Sequence, residues 1–427
     1  MNLQKITRSE TLGPPATNTS PGPTMDLRNR VGLYGAYFLG MAGIGFCLPY
    51  LPLYLKEEKG FSDRGIALVW VLSAAAGLLQ FPIGLWSDRV GSRKPFLIAA
   101  LAVLVAATAL LPLAVPGGFG WLLVGLLVVL FAENGACRAT VESLAGAEAT
   151  RLASPDRVGA ALGALRFWRP VSIVLTALLG GLLAEEFGVG WLLGPLAVVQ
   201  GLAVAAALLI REDGRVQKDE SAPGEASQSK GLQLRDPVLW AFIGAMILFH
   251  TSNAPPGAYL GLYLKQDLGA PPRYLSYAFV VSMIIWMAVV RPAGWLSDRL
   301  GRKPLLIVGW AVMTTRLVLL AVAQEGWQVL LIQVLDGLAQ GLFAVTAAAW
   351  VTDRFADPRR AGEAQVLVGC SLVFGSAIGP ALAGLIVEPL GYRGTFGVLA
   401  GVGVAATLVV ILLIPETRSK VPQRTAS

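Results

Sequence analysis

The sequence predicts an all-α membrane protein with twelve transmembrane helices in two six-helix bundles. Its 427 residues are 55% hydrophobic and 14% charged, with a mean hydropathy of +0.63, which is more apolar surface than a soluble domain needs. Apolar stretches that could cross a bilayer, which takes about 20 helical residues, recur along the whole chain. A charged segment of the first half is also repeated in the second half.

The repeated segment reads GLWSDRVGSRKP at Gly84–Pro95 and GWLSDRLGRKP at Gly294–Pro304. A second repeat, YLPLYLK at Tyr50–Lys56 and YLGLYLK at Tyr259–Lys265, has nearly the same offset. A single repeat of about 210 residues indicates two fused bundles, whereas solenoids repeat every 20 to 50 residues. We therefore expect the functional site in the cleft between the bundles.

Six predicted spans lie in each half. They are 31–56, 64–87, 95–114, 118–148, 158–186, 190–210, 237–264, 274–297, 304–324, 327–354, 363–389 and 393–415. Residues 30–210 and 237–416 are the predicted bundles. Residues 1–29 and 417–427 are predicted tails and 211–236 a linker; the first tail is expected to be disordered, because it and the linker are too polar to pack.

The distribution of the 34 Lys and Arg residues predicts the orientation. Most of them lie in the tails and in the even-numbered loops, and the positive-inside rule then places both termini in the cytoplasm. The opposite side holds Lys56, Lys59, Arg64, Lys265, Arg273 and Arg393. The net charge of +7 therefore reflects topology and does not indicate nucleic-acid binding. We expect a multi-pass protein of the cell membrane.

The sequence favours neither catalysis nor a cofactor. Cys47, Cys137 and Cys370 all fall within predicted spans and lack metal-ligand spacing, so we interpret them as packing residues. The chain has no HExxH or GxxxxGK[ST] motif, and its single histidine, His250, cannot complete a catalytic triad within the membrane. We expect no enzyme activity, no cofactor and no metal, and energy supplied by an ion or solute gradient.

Charged side chains inside the spans are candidate site residues, because a charge at the bilayer centre costs about 3 kcal/mol unless it lines a cavity or has a partner. They are Glu133, Arg138 and Glu142 in the fourth span, Arg166 and Arg169 in the fifth, and Arg291, Arg316 and Asp336 in the second half.

Spacing predicts two buried ion pairs. Asn134, Arg138 and Glu142 are four residues apart, so we expect them on one helix face. Glu142 should lie level with Arg166 across the loop between their helices, either as part of a substrate site or as a structural tie. Arg316 and Asp336 should likewise lie level about the turn at Gly326.

The second pair is a candidate for proton coupling. A membrane carboxylate that gains and loses an arginine partner can release and bind a proton; a static salt bridge is the alternative. Glu133 is a further coupling candidate. His250 and Asn253, just before the Pro255-Pro256 break, are candidate substrate ligands, although His250 could equally be structural.

With twelve spans around it, the repeated segment resembles the loop-two and loop-eight signature of the major facilitator superfamily. The matching residues are Gly84, Asp88, Arg89, Gly91, Arg93 and Lys94, and Gly294, Asp298, Arg299, Gly301, Arg302 and Lys303. The resemblance implies two bundles that rock about a central site. It also implies that the two leading glycines let another helix approach, and that Asp88 and Asp298 cap a partner helix and pair with basic residues when the inner gate is closed. The alternative is a solvated turn whose charges serve topology.

Glu142 in VES, Arg166 in RFW, and Arg316 twenty residues before Asp336 resemble the lactose-permease and nucleoside-symporter branch. The resemblance implies that Glu142 and Arg166 hold substrate. The spans also contain more arginines than acids, so an organic anion is a candidate solute, with Arg138, Arg166 and Arg169 as its counter-charges. The chain departs from the permease at Asp336, Ala339 and Ile173, so coupling is expected around Asp336, Glu142 or Glu133. Gly375, Gly379, Pro380 and Gly384 resemble a motif of drug antiporters but lie in a different helix, and we interpret them as packing and hinge residues.

These observations predict a proton-coupled transporter of a small polar organic solute, of the organic-anion, nucleoside or sugar type, working by alternating access. Its expected partners are this solute, protons and the lipid bilayer, and the chain is expected to act as a monomer. A drug or metabolite/proton antiporter is the first alternative, and a nutrient receptor without turnover is the second.

Overall fold

The computed structural model describes residues 26–152, 158–211, 236–354 and 358–417, and every regular element in these ranges is a helix. The helices are α1 Leu27–Met41, α2 Ile44–Glu57, α3 Asp63–Gly77, α4 Gln80–Val90, α5 Lys94–Leu110, α6 Gly120–Phe131, α7 Ala136–Leu152, α8 Val158–Phe187, α9 Leu193–Leu208, α10 Pro237–Asn253, α11 Pro255–Gln266, α12 Pro272–Leu300, α13 Arg302–Val322, α14 Gly326–Arg354 and α15 Pro358–Leu413. A single 3₁₀ turn, Gly190–Leu192, precedes α9.

Within the described ranges, ten helical stretches are long and apolar enough to cross a membrane, and Lys94–Leu110 is a shorter apolar helix. Several of the stretches consist of two helices in succession, such as α1 with α2 and α10 with α11. The long helix α15 is interrupted at Gly391, whose φ of 67° lies in the left-handed region that favours glycine.

The helix boundaries have local causes. Ser62 caps α3 by accepting a hydrogen bond from the Gly65 amide at 3.2 Å. Helix α4 ends at Gly91, whose φ of 75° provides the left-handed C-terminal cap. The predicted break before Pro255-Pro256 is confirmed, because α10 ends at Asn253 and α11 begins at Pro255; prolines lack the amide proton that a helix interior requires.

Two boundaries differ from the sequence-based expectation. Helix α1 begins at Leu27, so the last residues of the predicted tail 1–29 are helical. The fourth predicted span, 118–148, is split after Phe131 into α6 and α7. Ala132 adopts an extended ψ of 161°, and the Asn134 carbonyl lies against Gly77 of α3. The predictions for residues 1–25, 212–235 and 418–427 lie outside the described residues.

The N-terminal half (α1–α9) and the C-terminal half (α10–α15) meet at one end of the molecule. We call the end that carries Gly84–Pro95 and Gly294–Pro304 the motif end, and the opposite end the far end. Hydrogen bonds and ion pairs between described residues of the two halves all lie at the far end. They are Lys56–Tyr392 at 3.0 Å, Tyr259–Asp63 at 3.1 Å, Tyr392–Asp63 at 3.4 Å, Arg64–Glu388 at 2.8 Å, Arg273–Glu185 at 3.5 Å, Ser276–Ala177 at 2.5 Å, Tyr50–Pro272 at 3.3 Å and Tyr50–Ser276.

Candidate functional site

A cavity of about 830 Å³ lies between the two halves. Its walls come from both halves, and they extend to Val351 near the motif end of α14. Since the bonds between the halves close the far end, the cavity opens toward the motif end. Of the charged residues predicted inside the spans, six line it: Glu133, Glu142, Arg166, Arg169, Arg316 and Asp336.

Arg169 on α8 organises the N-terminal wall of the cavity. Its Nη2 lies 3.2 Å from the Glu133 carboxylate, and its Nη1 lies 3.5 Å from the Glu142 carboxylate. Arg166 lines the cavity one helical turn earlier and forms no ion pair with another described residue. The predicted pairing of Glu142 with Arg166 is therefore wrong, because Glu142 pairs with Arg169. The side chains of Glu133, Glu142, Arg166 and Arg169, all predicted as site residues, nevertheless line the same cavity.

Arg138 does not reach the cavity. Its side chain is 1% exposed and packs behind the wall, with the guanidinium 4.6 Å from the centre of the Phe131 ring and Nη1 donating to the Phe131 carbonyl. Nη1 also lies 3.1 Å from the Cys47 sulfur. Asn134 lies in the break between α6 and α7 and lines the cavity. The predicted common face of Asn134, Arg138 and Glu142 is thus wrong, because the helix is interrupted between Asn134 and Arg138.

Gln200 gives Arg138 a polar neighbour. A side chain at Gly43 would collide with both the Arg138 guanidinium and the Gln200 amide, so these two groups meet there. Thr108 has one hydroxyl proton for two acceptors, the Leu104 carbonyl at 2.8 Å and Gln200 Oε1 at 2.6 Å. Turning the Gln200 amide over would let its nitrogen donate to Thr108 and would place its oxygen on the side of Arg138. This arrangement makes Arg138 a packing element of α7.

Arg316 and Asp336 form the predicted pair on the C-terminal wall. Arg316 Nη1 lies 3.1 Å from Asp336 Oδ1 and also donates to Asn253 at 3.2 Å, while Nη2 donates to Gln333 at 3.1 Å. The second Asp336 oxygen accepts a hydrogen bond from Ser282. Arg316 is 4% exposed and Asp336 16%. The polar partners offset part of the cost of burying this ion pair.

His250 and Asn253 also line the cavity. His250 is packed edge-on against Phe249 and Phe343, with ring centroids 5.3 and 5.2 Å away. Asn253 reaches the cavity at the break between α10 and α11 and accepts the hydrogen bond from Arg316. Helix breaks that present polar groups at the middle of a bundle are typical of solute sites in transport proteins.

At the motif end, the first copy of the repeated segment forms its hydrogen bonds and ion pair with residues of its own half. Arg93 Nη2 lies 2.7 Å from Asp88 Oδ1, and Arg93 Nη1 donates to the Ala147 carbonyl at 3.2 Å. Lys94 donates to the carbonyls of Leu208 and Ile210 at 3.0 and 2.6 Å. The Asp88 side chain remains 52% exposed.

The second copy repeats this arrangement. Arg302 pairs with Asp298 at 2.6 Å and with Asp353 at 2.8 Å. Lys303 donates to the Ile411 carbonyl at 2.8 Å. Arg89 is exposed, and the Arg299 guanidinium stacks 3.9 Å from the Trp295 ring. In both copies, the lysine anchors the start of a helix to the end of the last helix in the same half, and the arginine pairs with the aspartate of its own segment.

The expected close approach of another helix at Gly84 is wrong for this conformation. Among the described residues, no atom outside the helix backbone around Gly84 lies within 4 Å of the position that a Gly84 side chain would occupy, and Gly294 has an ordinary contact with Val345 at 3.6 Å. The physical reason is the opening of the cavity at this end, which removes the other half from Gly84. The glycines of α15 do pack as predicted, with Gly375 against His250 and Gly379 against the Thr251 carbonyl.

Sequence reasoning missed the residues that close the far end. Tyr50 and Tyr259 occupy equivalent positions in the YLPLYLK and YLGLYLK repeats, and each reaches across to the other half. Lys56 of the same repeat contacts Asp63 at 2.8 Å and Tyr392 at 3.0 Å. The repeat itself was the available signal. Ser282, which bonds Asp336, had no signal, because a lone serine in an apolar span is unremarkable in sequence.

Comparisons with known proteins agree with this architecture. The MFS_1 like family matches residues 31–398. An uncharacterised MFS-type transporter of Mycobacterium tuberculosis is 26% identical over 387 residues, covering 86% of this chain and 89% of the relative. The multidrug resistance protein MdtL of Klebsiella pneumoniae is 30% identical over 163 residues, which cover 38% of this chain and 41% of MdtL.

Solved transporter structures share the fold at low sequence identity. The nucleoside transporter NupG superposes with a TM-score of 0.76 at 15% identity, covering 90% of this chain and 98% of NupG. A bacterial homologue of the human lysosomal transporter Spinster, in an inward-facing and occupied conformation, superposes with a TM-score of 0.67 at 14% identity, covering 90% and 95%. The chain therefore belongs to the MFS_1 like family and is a membrane transporter of the major facilitator type.

Proposed function

We propose that the protein carries a small polar organic solute across the cell membrane by alternating access, coupled to protons. The cavity between the halves carries this proposal, because it presents two charged clusters on opposing walls, around Arg169 and around Arg316. Buried charges that line a cavity in a membrane protein mark a solute or ion pathway. An organic anion, a nucleoside or a sugar fits the mixture of charged and amide side chains.

The chain arrangement in this proposal has twelve spans in two bundles, 30–210 and 237–416, with both termini in the cytoplasm. The ten candidate spans support it, together with the apolar helix Lys94–Leu110 and the interruption of α15 at Gly391. The excess of Lys and Arg in the tails and alternate loops supports the orientation. The motif end is then cytoplasmic, and this conformation is inward-facing.

Proton coupling is assigned to Asp336. Arg316 holds its carboxylate in this conformation, and a solute that competes for either partner would change how readily Asp336 binds a proton. Glu133 is the second candidate, because it shares Arg169 with Glu142 in the wall across the cavity.

The test uses the purified full-length protein in sealed liposomes that contain a pH-sensitive dye. Pools of nucleosides, sugars, organic acids, amino acids with short peptides, and cationic drugs are added outside, with wild type and Asp336→Asn side by side. We expect the wild-type protein to transport the solute of one pool together with protons. Asp336→Asn should transport the same solute without protons. Solute movement without protons in the wild type would refute coupling, and movement of no pool would refute transport itself.

Export of drugs or metabolites in exchange for protons is a second candidate. The similarity to multidrug resistance proteins favours it, although it covers less than half of each chain. Loading the pools inside the liposomes distinguishes the two directions. Hypersensitivity of a deletion strain to toxic compounds would favour export.

A further inference from the structure

The six charges that line the cavity sum to zero on each wall, but the ion pairs do not include all of them. On the C-terminal wall, Arg316 and Asp336 are paired with each other. On the N-terminal wall, one arginine, Arg169, serves two carboxylates, Glu133 and Glu142. This wall therefore has one carboxylate more than its ion pairs need. Its compensating cation, Arg166, lines the same cavity without an ion pair to another described residue.

Glu142 is the carboxylate that is easier to recruit. Its contact with Arg169 is longer, at 3.5 Å against 3.2 Å for Glu133, and its side chain is more exposed, at 39% against 26%. A cationic group of a solute can bind Glu142 while Arg169 remains with Glu133. An acidic group can bind Arg166 at the same time, because Arg166 and Arg169 are three residues apart on α8 and line the same cavity.

Charge balance limits what the closed cavity can enclose. When no proton is bound, a solute with only an acidic group would leave the surplus carboxylate in the closed site, and a solute with only an ammonium group would leave Arg166. Either case buries an unpaired charge, which is strongly unfavourable away from water. A zwitterion satisfies both groups and keeps the site neutral.

The remaining lining is largely apolar and aromatic. Trp70, Phe279, Trp286 and Phe343 line the same cavity, together with Met246 and Met283. Solute sites commonly combine such a lining with a few polar groups that fix the orientation. A solute with an apolar body between or beside its charged groups matches both parts of the cavity.

We propose that the solute is an amphipathic zwitterion, such as an amino acid or short peptide with an apolar side chain. Its acidic group binds Arg166 and its ammonium group binds Glu142, while the apolar body lies against the aromatic side chains. This inference rests on the transport function proposed above and specifies its small polar solute as a zwitterion in place of the organic anion, nucleoside or sugar named there.

The test is a binding titration with the purified full-length protein in lipid nanodiscs, using matched probes. One set consists of phenylalanine, its N-acetyl derivative, its amide and the doubly blocked N-acetyl amide; a second set has the same four forms of alanyl-phenylalanine. The zwitterion of at least one set is expected to bind about tenfold to hundredfold more tightly than each blocked form, because each blocked form loses a charged hydrogen bond.

Variants of the protein show which residue binds the carboxylate of the probe and which binds its ammonium group. Arg166→Gln should abolish the preference for the free carboxylate over the amide, and Arg166→Lys should keep it. Glu142→Gln should abolish the preference for the free amine over the N-acetyl form. Arg291→Gln is the matched control, because Arg291 is also a span arginine but does not line the cavity. Each variant is first checked for a cooperative melting transition.

Blocked forms that bind as well as the zwitterion would overturn the inference. So would an unchanged preference in both Arg166→Gln and Glu142→Gln. If neither set binds but a pool of other solutes is transported by the liposomes described above, the zwitterion is wrong and transport stands. If no solute of any pool moves, the proposed function fails as well.

Discussion

At the residue scale, arginines with the same charge have different surroundings and therefore different roles. Arg138 is 1% exposed, and its contacts are the Phe131 ring and carbonyl, the Cys47 sulfur and the Gln200 amide. Arg166 lines the cavity. Both are predicted from sequence as counter-charges for the solute, and of the two only Arg166 lines the cavity in which a solute could bind.

We expect Arg138→Ala to destabilise the protein by about 2–5 kcal/mol, because it leaves a void and unpaired buried polar groups. Arg166→Ala should abolish solute uptake and leave the stability nearly unchanged. Melting in detergent and uptake into liposomes, measured on both variants, separate the two effects. Full uptake by Arg166→Ala would contradict its assignment, and wild-type stability of Arg138→Ala would contradict the packing role.

At the scale of helices, three glycines mark where the two halves approach each other at the far end. A side chain at Gly181 of α8 would lie 2.8 Å from the Ser276 hydroxyl, and one at Gly261 of α11 would lie 2.7 Å from the Pro49 carbonyl. One at Gly384 of α15 would overlap Ala67 of α3. Small residues permit such close helix packing in membranes, where apolar surfaces gain little by associating.

We expect Gly384→Leu to hold the far end open, because a leucine there has no space against α3. Overpacking costs about 1–3 kcal/mol, which is enough to shift the equilibrium between the two conformations about tenfold toward the outward-open one. The readout is maleimide labelling of Asn134→Cys, inside the cavity, from the far-end side of the membrane. Gly397→Leu is the control, since no neighbouring atom of the described chain lies within 4 Å of a side chain built at that position. Equal labelling rates in both variants would show that α3 and α15 do not form the gate.

The helices were more predictable than the contacts between them. Hydropathy placed the spans, and Pro255-Pro256 placed the break after α10. The break between α6 and α7 also had a signal, the turn-forming pair Asn134-Gly135, but the apolar residues around it suggested a continuous helix. The Arg316–Asp336 pair followed from counting residues about a turn. The same count predicted Arg166 as the partner of Glu142. The observed partner, Arg169, lies only about 4.5 Å further along the helix. The count missed it because residue counting does not include helix tilt or loop shape.

At the scale of the whole molecule, the distribution of contacts is asymmetric between the two ends. The far end joins the halves through side chains of α2, α3, α8, α11, α12 and α15, whereas at the motif end the repeated segments bond within their own halves. No described residue of the other half lies within 4 Å of the position that a Gly84 side chain would occupy. An alternating-access cycle requires the opposite arrangement in its other conformation, with the far end open and a partner helix at Gly84.

Locking the far end should therefore stop transport. Arg64 on α3 and Glu388 on α15 lie 2.8 Å apart across the two halves and are exposed. In a Cys370→Ser background, Arg64→Cys with Glu388→Cys can be joined by a short bis-methanethiosulfonate reagent. We expect uptake to be lost on cross-linking and restored by a reductant, because the link prevents the halves from separating.

The matched control joins two residues of the same half. Asp236, at the start of α10, and Arg354, at the end of α14, lie 2.7 Å apart, and the same reagent applied to Asp236→Cys with Arg354→Cys should leave uptake intact. Cross-linked Arg64→Cys/Glu388→Cys protein that still transports would mean that the far end does not open during the cycle. The solute would then have to pass by another route, and the asymmetry between the two ends would be a permanent feature of the fold.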